Sequence, residues 1–529
     1  MCLGILAICM CFVCVIYNYS FCYASTYSTN TNCSNVYVVR FFFTAGSVLS
    51  LGIWVFHYSS STERWKHGVS HPVIGLSDRS VVNKTSVVAS PPSTAQSFLQ
   101  YCNFPASLKS LNGGSMEGTL ACEQQENFKL LQVFMLARHG DRMPAYSFPN
   151  LFAIPQLNCS LPYPLGNSAD ELKFQIWDLN SHKFVNKPLR LKRDHLCDIG
   201  SLTVTGHEQH FILGKHIKQA YKKWINEPRN SSKWMDLLFV HSTNVQRTMY
   251  SAASFLQGFF PEEALYRSKT PIHVSNGPAL HGVPPGSNMV YQWCKNLYSI
   301  TAKELSSVER QAGHSFYSGV LDRVAATLGV SKGQLPPKVT QLYDQIMVRA
   351  CHNLTLPCDP KQCTNSTLLT DLTEYAEWVI VHAFPTRTAV LMMQPFVYNV
   401  LFQQMNIAIE KDRQGRSDYL AFFLHFCHDT TLIAFLSAMS AQQERWPPYA
   451  TRVVLELWKK EMLSSEMSAE ALYYVRLLYN GQPITSELQF TSGDFEHDRE
   501  LLKFSEFSKY ITTGDFRAKE SYDSVCGHA

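Results

Sequence analysis

The sequence has little net charge. Lys and Arg together number 46 and Asp and Glu number 42, which leaves +4 over 529 residues. A protein whose main partner is a nucleic-acid backbone or an anionic membrane surface carries a much larger positive excess. The near balance therefore excludes nucleic acid as a main partner. It also means that any anion-binding site must be built from a few local cations.

The sequence also has no internal repeat and few apolar runs near the length of a membrane helix. The run FFFTAGSVLSLGIWVF at 41–56 follows Arg40 and precedes the polar SSSTERWKH, although it is slightly short for a bilayer. The run LGILAICMCFVCVIY at 3–17 is a weaker alternative, because it lacks a basic n-region and two spans would return the body to the cytosol. We therefore expect residues 1–40 in the cytoplasm, one signal anchor at 41–57, a stem rich in Ser, Thr, Val and Pro at 58–100, and a lumenal catalytic body at 101–529.

Cysteine is abundant, with 16 residues, six of them in the first 33 positions. The ten downstream cysteines, including the cluster CHNLTLPCDPKQC at 351–363, suit disulfides in an oxidising lumen. A zinc site is the alternative, because His352 adjoins Cys351, but the spacing fits no familiar ligand pattern. Acceptor triplets N-x-S/T indicate the same compartment, and we expect glycosylation at Asn83, Asn158, Asn230, Asn353 and Asn365.

Three apolar segments have the composition of buried strands. They are FKLLQVFMLA (128–137), WMDLLFV (234–240) and YLAFFLHF (419–426), and each is followed by polar residues and then a helical pattern. This alternation predicts an α/β fold with a mostly parallel sheet flanked by helices. Its polar junctions lie at the carboxyl ends of strands, where open parallel sheets bind ligands. Two stretches at about 145–200 and 280–385 interrupt the alternation, and we expect them to form a smaller, mostly helical cap.

The first junction, LARHGDRMP at 136–144, concentrates positive charge in a turn. Arg138 and Arg142 flank His139, and Gly140 allows the backbone to fold tightly. Two converging guanidinium forks suit a phosphoryl group. Because neighbouring cations disfavour the imidazolium ion, we expect His139 to have a lowered pKa and to act as a nucleophile toward phosphorus. The alternative is a salt-bridged surface turn, but five fixed residue types in this spacing are rare by chance.

Two other junctions supply further candidates. His428-Asp429 follows the third strand and offers a phosphate donor and an acid, and Arg247 follows the second strand as a third guanidinium. The pair His497-Asp498 lies in a polar stretch with no strand before it, so we expect it to be solvated. Cys427 invites a thiol-nucleophile hypothesis and His241 a catalytic one, but we interpret the thiol as a small buried hydrophobe and the imidazole as structural.

The pattern RHGxRxP with a distant His-Asp pair resembles the histidine acid phosphatase family. The segment GSLTVTGHEQHFILGKHIKQAY (200–221) is similar to the family's LTxxGxxQ helix, and HSTNVQRTMYSA (241–252) to its segment bearing a third phosphate arginine. The resemblance implies a phosphoglycerate-mutase-like core and no metal or other cofactor. It also implies His139 as nucleophile, Asp429 as proton donor, and Arg138, Arg142, Arg247 and His428 as phosphate ligands.

Secondary motifs resemble a Golgi type II membrane member of that family. SMEG (115–118), CHNLTLPC (351–358), VLELW (454–458) and RLLYNG (476–481) stand in matching order. The resemblance implies a phosphorylated glycan substrate, the 2-phosphate of xylose in the proteoglycan linkage region, with a glycosyltransferase as a candidate partner. The alternatives are a broad-specificity lysosomal or secreted acid phosphatase, a phosphatase for another phosphoester such as a lipid, and a phosphoglycan-binding protein without turnover.

Overall fold

The structure of the chain is a computed structural model. The part of the chain that it describes comprises residues 14–22, 33–41, 53–55, 97–120, 127–160, 173–179, 183–185, 189–190, 197–227, 237–260, 271–275, 294–315, 317–358, 363–461, 473–489, 495–496, 500–513, 516 and 522–526. Two compact units are present, Met1–Ser90 and Pro91–Ala529.

The first unit contains a small antiparallel sheet. Its strands are β1 (Cys14–Cys22), β2 (Cys33–Phe41) and β3 (Ile53–Val55), and β2 pairs with both neighbours. Of the anchor predicted at 41–57, the structure therefore describes Phe41 and Ile53–Val55, and these residues lie in strands rather than in a helix. The rest of that segment and residues 58–96 of the stem lie outside the described residues. Among the described residues, no helix is both long and apolar enough to cross a membrane.

The second unit is built on a large mixed sheet, which confirms the predicted α/β class. Its order is β15–β16–β13–β12–β4–β11–β9–β10–β6–β7, with β14 paired to β13. Strands β4, β11, β9, β10 and β6 are mutually parallel, and the remaining pairs are antiparallel. The strands are β4 (Phe128–Arg138), β5 (Lys173–Phe174), β6 (Ile176–Asp178), β7 (Lys183–Phe184), β8 (Leu189–Arg190), β9 (Leu238–Thr243), β10 (Ile272–Ser275), β11 (Phe422–Cys427), β12 (Arg452–Lys460), β13 (Tyr473–Tyr479), β14 (Gln482–Pro483), β15 (Phe495–Glu496) and β16 (Leu501–Lys503). Separately, β5 pairs with β8.

The three predicted strands are adjacent in this sheet. Strand β4 runs beside β11, and β11 runs beside β9. Near the carboxyl end of β4, successive side chains alternate between two hydrophobic cores: Phe134 and Leu136 lie in one, and Val133 and Met135 lie in the other. A continuous apolar sequence is what a strand needs when helices cover both faces of the sheet. The three carboxyl ends therefore meet along one edge.

Helices cover both faces of the sheet. They are α1 (Pro105–Gly113), α2 (Val204–Ala220), α3 (Lys222–Ile225), α4 (Gln246–Phe259), α5 (Lys295–Ser315), α6 (Val320–Thr327), α7 (Val339–Cys351), α8 (Ser366–His382), α9 (Thr386–Phe396), α10 (Gln403–Arg413), α11 (Asp429–Ala438), α12 (Phe504–Thr513) and α13 (Tyr522–Cys526). Side chains of α2 and α4 fill the core on one face, whereas those of α5 to α12 fill the larger core on the other. A π-helical turn at Val397–Phe402 joins α9 to α10.

The two predicted cap stretches differ from each other. The described part of 280–385 is helical, from α5 to α8, as expected. The described part of 145–200 contributes the short strands β5 to β8 instead, and β6 joins the edge of the main sheet beside β10. The prediction of a helix fails there because β6 pairs with a parallel neighbour, and the local sequence does not encode that pairing. The helices share one continuous core with the sheet, so they belong to the same compact unit.

Four disulfides lie in the described part of the chain, as the abundance of cysteine predicts. The bonds are Cys102–Cys351, Cys159–Cys197, Cys294–Cys526 and Cys358–Cys363. Because all three cysteines of the CHNLTLPCDPKQC cluster are bonded to sulfur, the zinc alternative at that cluster is wrong. Among the described residues, no group of three or more His, Cys, Asp or Glu side chains could hold a metal ion.

A buried ionic network near the antiparallel strands includes Glu117 of the SMEG motif. Arg452 donates to both carboxylate oxygens of Glu117, from Nε to Oε1 at 2.5 Å and from Nη2 to Oε2 at 3.0 Å, and His216 Nε2 lies 2.6 Å from Oε2. Burial alone would raise the pKa of Glu117, but Arg452 and the His216 hydrogen bond outweigh it and hold the pKa well below its usual range. The network therefore depends on an ionised Glu117.

Replacing Glu117 with glutamine is expected to lower the free energy of unfolding at neutral pH by about 3–5 kcal/mol, because Arg452 is left buried without a counter-ion. The matched control is Asp371→Asn, which breaks the exposed pair with Arg323 (side chains 31% and 50% exposed) and is expected to cost less than about 1 kcal/mol. Denaturant unfolding measures both. A depressed carboxyl pKa stabilises the fold above the unfolded-state value of about 4.3, so the Glu117→Gln deficit should shrink as the pH falls below that value. Equal losses in the two variants would contradict the importance of the network.

Candidate active site

His139 lies directly after β4, at the edge where the parallel strands end. Its backbone is fixed between two neighbours, since its N–H donates to Cys427 O at 2.9 Å and its carbonyl accepts from Ala450 N at 3.1 Å. The side chain is 1% exposed, and Nδ1 lies 2.8 Å from Gly140 O. A carbonyl can only accept, so Nδ1 carries the proton. The lone pair of the ring is therefore on Nε2.

The predicted lowering of the His139 pKa is confirmed, but its largest cause differs from the expected one. Burial contributes most, followed by the positive charges of Arg247, Arg138 and Arg142. Both effects disfavour the imidazolium ion and hold the pKa well below its usual range. The ring is therefore neutral at mildly acidic pH.

Gly140 is required for close packing rather than for an unusual backbone angle. Its φ is not positive, whereas a Cβ at this position would lie 2.5 Å from Gly206 O and 2.7 Å from Gly206 Cα in helix α2. A Cβ on Gly206 would meet Asp141 O in turn. The two glycines thus let the turn after β4 lie directly on the first turn of α2.

Helix α2 and the helical region clamp that turn from two sides. Thr203, the N-cap residue of α2, donates from Oγ1 to a carboxylate oxygen of Asp141, and Gln209 Oε1 accepts from the Asp141 N–H at 2.7 Å. The same Asp141 oxygen lies 2.7 Å from His352 Nε2 at the end of α7. Burial lowers the pKa of His352, but Asp141 outweighs it and the net shift is upward. This clamp holds the backbone of His139 in place.

The three predicted arginines have different surroundings. Arg138 is fully buried, donates to Pro447 O at 2.6 Å and Tyr101 Oη at 2.7 Å, and pairs with Asp429 at 2.8 Å. The Arg142 guanidinium pairs with Asp344 of α7 at 2.7 Å. By contrast, Arg247 Nη2 lies 3.5 Å from His428 Nδ1 rather than against a carboxylate. Its pKa is lowered to about 10 by burial and by the charge of Arg142.

Each of these arginines keeps an unused donor. The Nε atoms of Arg138, Arg142 and Arg247 are buried and have no hydrogen-bond partner among the described residues. Guanidinium nitrogens without hydrogen-bond partners also occur on Arg452 and Arg476 in the described part of the chain. The distinguishing feature of this site is therefore that three such arginines surround one histidine, which favours binding of an anion. Three guanidinium charges against Asp344 and Asp429 also leave a local excess of +1.

His428 and Asp429 lie at the first turn of α11, where the helix dipole favours negative charge. The His428 ring centroid is 5.6 Å from that of His139. Its Nδ1 lies 3.5 Å from Arg247 Nη2, and its Nε2 lies 3.0 Å from Thr243 Oγ1. The structure therefore brings the second and third junctions to His139, as predicted.

Three donors hold the Asp429 carboxylate. Arg138 Nη2 and Trp446 Nε1 each lie 2.8 Å from Oδ2, and Thr430 N donates to Oδ1 at 2.8 Å. Burial would raise the pKa of Asp429, but Arg138, the Trp446 hydrogen bond and Arg142 outweigh it, so the pKa is lowered. In the ligand-free protein this carboxyl group is therefore ionised.

The competing candidates are accounted for where the structure describes them. His241 is 1% exposed, and its ring nitrogens face His425 Nδ1 at 2.7 Å and Ser275 Oγ at 3.0 Å, as expected for a structural histidine. The Cys427 thiol is fully buried in the hydrophobic core, and burial raises its pKa, which rules against a thiolate nucleophile. The pair His497-Asp498 lies outside the described residues.

Three of the predicted glycosylation acceptors are exposed: Asn158, Asn353 and Asn365. Asn365 is the N-cap residue of α8, and its side-chain oxygen accepts from Leu368 N at 2.8 Å, which leaves the amide nitrogen outside that bond. Asn83 and Asn230 lie outside the described residues.

Sequence reasoning missed the residues that support this site. Trp446 contacts Asp429, whereas Asp344 and His352 come from helix α7 and its C-terminal end and contact Arg142 and Asp141 respectively. Tyr101 and Tyr449 place their rings 4.7 and 4.4 Å from the Arg138 guanidinium. The segment WPPYA at 446–450 is the one local pattern that could have drawn attention to these residues, because its two prolines restrict the backbone conformation there.

Comparison with known proteins gives a consistent assignment. The sequence matches the family described as Histidine phosphatase superfamily (branch 2) over residues 129–304 and 362–480. It is 28% identical over 441 residues to the human protein named 2-phosphoxylose phosphatase 1, which covers 80% of this chain and 84% of that protein. Human prostatic acid phosphatase is 23% identical over 330 residues, covering 62% of this chain and 73% of that protein.

Among solved structures, the multiple inositol polyphosphate phosphatase of Bifidobacterium longum in complex with inositol hexasulfate aligns with a TM-score of 0.47 and 13% identity, over 76% of this chain and 96% of that chain. The family match covers more than half of the chain and includes all three strand junctions. The chain therefore belongs to the histidine phosphatase superfamily (branch 2), and it is a phosphoric monoester hydrolase of the histidine acid phosphatase type.

Proposed function

We propose that the chain hydrolyses phosphate monoesters through a phosphohistidine on Nε2 of His139. The observation that carries this proposal is the neutral, buried ring of His139 among three arginines whose Nε donors lack partners. Nε2 attacks phosphorus while the P–O bond to the alcohol breaks and the alcohol oxygen takes a proton. Water then attacks the phosphohistidine and gives a proton to Asp429, and the P–N bond breaks to release inorganic phosphate and the free imidazole.

The charges around His139 are consistent with one proton shared between Asp429 and the bound phosphate group of the substrate. With Asp429 ionised, the local excess of +1 matches a phosphate monoanion; with Asp429 protonated, an excess of +2 matches the dianion. The two states hold the same number of protons. A proton that arrives with the substrate can therefore move to Asp429 and from there to the leaving alcohol, although the ligand-free carboxyl group is ionised. Arg138, Arg142, Arg247 and His428 serve as phosphate ligands in this proposal.

The proposed substrate is the 2-phosphate of xylose in the proteoglycan linkage region. Similarity to 2-phosphoxylose phosphatase 1 over 80% of this chain supports it. We extend the proposal to a single-pass type II Golgi membrane protein with a lumenal catalytic body, an anchor at 41–57 and a glycosyltransferase as a candidate partner. The disulfides support an oxidising compartment.

One rim residue also suits a sugar. Tyr146 is 45% exposed and follows Ala145, whose N–H donates to Asp344 Oδ2 at 2.7 Å, while Tyr146 O accepts from Gln345 Nε2 at 2.6 Å. Burial and the charge of Asp344 raise the pKa of the Tyr146 hydroxyl, so the ring lies beside the charged site. An exposed aromatic ring beside a charged site offers a packing surface to the C–H face of a pyranose.

The test is phosphate release from a synthetic linkage oligosaccharide bearing xylose 2-phosphate, compared with an aryl phosphate. We expect kcat/KM to be about tenfold higher for the oligosaccharide or more, because contacts remote from phosphorus stabilise its transition state. Tyr146→Ala should raise KM for the oligosaccharide severalfold and leave inhibition by inorganic phosphate unchanged. A preference for the aryl ester would favour a broad-specificity acid phosphatase instead.

A further inference from the structure

The Asp429 carboxylate is held unsymmetrically. Oδ2 receives two side-chain donors, Arg138 Nη2 and Trp446 Nε1, both at 2.8 Å. The other oxygen, Oδ1, receives only the backbone N–H of Thr430, also at 2.8 Å. A carboxylate oxygen has two lone-pair positions. Both positions on Oδ2 are thus occupied by donors, whereas one position on Oδ1 is left for a proton.

The two donors on Oδ2 are themselves rigidly placed. Arg138 is fixed by Tyr101 and Pro447, and the Trp446 ring stacks on Tyr343 with centroids 5.1 Å apart. The Trp446 residue is 7% exposed, and the Asp429 side chain is 13% exposed. Neither donor can turn away without breaking packing in the core. The orientation of the carboxylate is therefore set before any substrate enters.

We propose that Trp446 is a positioning residue that, with Arg138, locks Oδ2 of Asp429 and so makes Oδ1 the oxygen that carries the proton to the leaving group. This inference rests on the proposed role of Asp429 as proton donor. A proton on Oδ2 would displace one of its two donors and leave that donor buried without a partner. Without the indole N–H, the carboxylate can rotate and share the proton between its oxygens, which lowers the fraction of complexes aligned for transfer.

The experiment replaces Trp446 with phenylalanine in the full chain and measures kcat and KM for a series of phosphate monoesters, from alkyl to activated aryl. Phenylalanine keeps a ring against Tyr343 but removes the donor. We expect kcat for alkyl esters to fall about tenfold, and that for activated aryl esters to fall less than twofold, because a good leaving group needs little proton transfer. KM should stay the same for both.

The chain supplies a matched control. Trp458 is 3% exposed, and its Nε1 donates to a buried carboxylate oxygen, Glu456 Oε2, at 2.9 Å. This bond lies near the amino end of β4, away from the site, since Trp458 pairs with Leu130. Trp458→Phe therefore removes the same kind of bond and should leave the dependence on the leaving group unchanged. Both variants are compared by thermal unfolding.

A second substitution separates the hydrogen bond from the packing. Benzothienylalanine at position 446 keeps the shape of the indole and lacks only the N–H, so it serves even where the phenylalanine variant does not fold. Equal loss on alkyl and aryl esters, or no loss on either, with this residue would overturn the positioning role. If Asp429→Asn shows no dependence on the leaving group, the proposed role of Asp429 as proton donor fails instead, whatever Trp446 does.

Discussion

Replacing His139 with alanine should lower phosphate release by about 10⁴-fold or more with every substrate, because the proposed covalent intermediate cannot form. The decrease in rate should be the same for all leaving groups, whereas removal of the proposed proton donor Asp429 should affect poor leaving groups most. Steady-state release of inorganic phosphate measures the rate. Rapid quenching in alkali with ³²P-labelled substrate measures the intermediate, since an N–P bond to histidine survives base and is cleaved by acid. The wild-type protein should trap label, and His139→Ala should trap none.

The control for this experiment is Cys427→Ala, which tests the other nucleophile considered at this edge of the sheet. Its thiol lies in the hydrophobic core, so the variant should keep turnover within about threefold of the wild type and lose some stability. Labelled protein from His139→Ala, or loss of label from Cys427→Ala, would reject His139 as the nucleophile. A wild-type protein that binds the phosphorylated oligosaccharide without releasing phosphate would support the binding-protein alternative.

Replacing Asp429 with asparagine should slow alkyl ester hydrolysis by roughly 10² to 10⁴ and spare an activated aryl ester, because a stable leaving group departs without a proton. The asparagine amide oxygen can still accept from Arg138 and Trp446, whereas the bond from the Thr430 N–H to the other oxygen is lost. Parallel kcat measurements on the two ester classes check this. Equal losses would show that the residue supports the fold or binds phosphate, and that another group gives the proton.

The pH dependence follows from the same groups. The pKa of His139 is held well below its usual value, so this ring stays neutral and imposes no loss of activity across mildly acidic pH. The pKa of Asp429 is also lowered, so in the free protein its proton is lost at low pH and must be supplied by the substrate. A phosphate monoester gives up its second proton at about pH 6. We expect kcat/KM for alkyl esters to fall as the pH rises above about 6.

The parts of the site that local chemistry encodes were accessible from the sequence. Continuous apolar segments before RHGDR, HSTN and CHDTT predicted three parallel strands, and β4, β11 and β9 are indeed neighbours. The edge of a parallel sheet then brings Arg247 and His428 to His139 without further information. The spacing of the junctions along the chain did not matter, because the sheet order determines which carboxyl ends meet.

The supporting residues were not accessible, because their roles exist only through long-range packing. Asp344 is one polar residue in an amphipathic helix, and nothing local distinguishes it from a solvated carboxylate until α7 meets Arg142. The role of Trp446 was equally inaccessible. A tryptophan followed by two prolines predicts a turn, but it does not predict which group accepts the hydrogen bond from the indole N–H. Gly140 was predicted to be necessary because of its backbone freedom. Its close contact with Gly206 depends on tertiary packing and could not be predicted from the local sequence.

The bond between Cys102 and Cys351 has a consequence for when the protein becomes active. Cys102 offers its carbonyl to Gln209, and Cys351 precedes His352, so the residues on either side of this bond hold Asp141 and with it the turn of His139. The two sulfurs are 249 positions apart, so ordering of the turn waits for the far half of the chain to be synthesised and oxidised. A chain in which this bond has not formed is therefore expected to lack the ordered turn of His139 and to hydrolyse phosphoesters poorly.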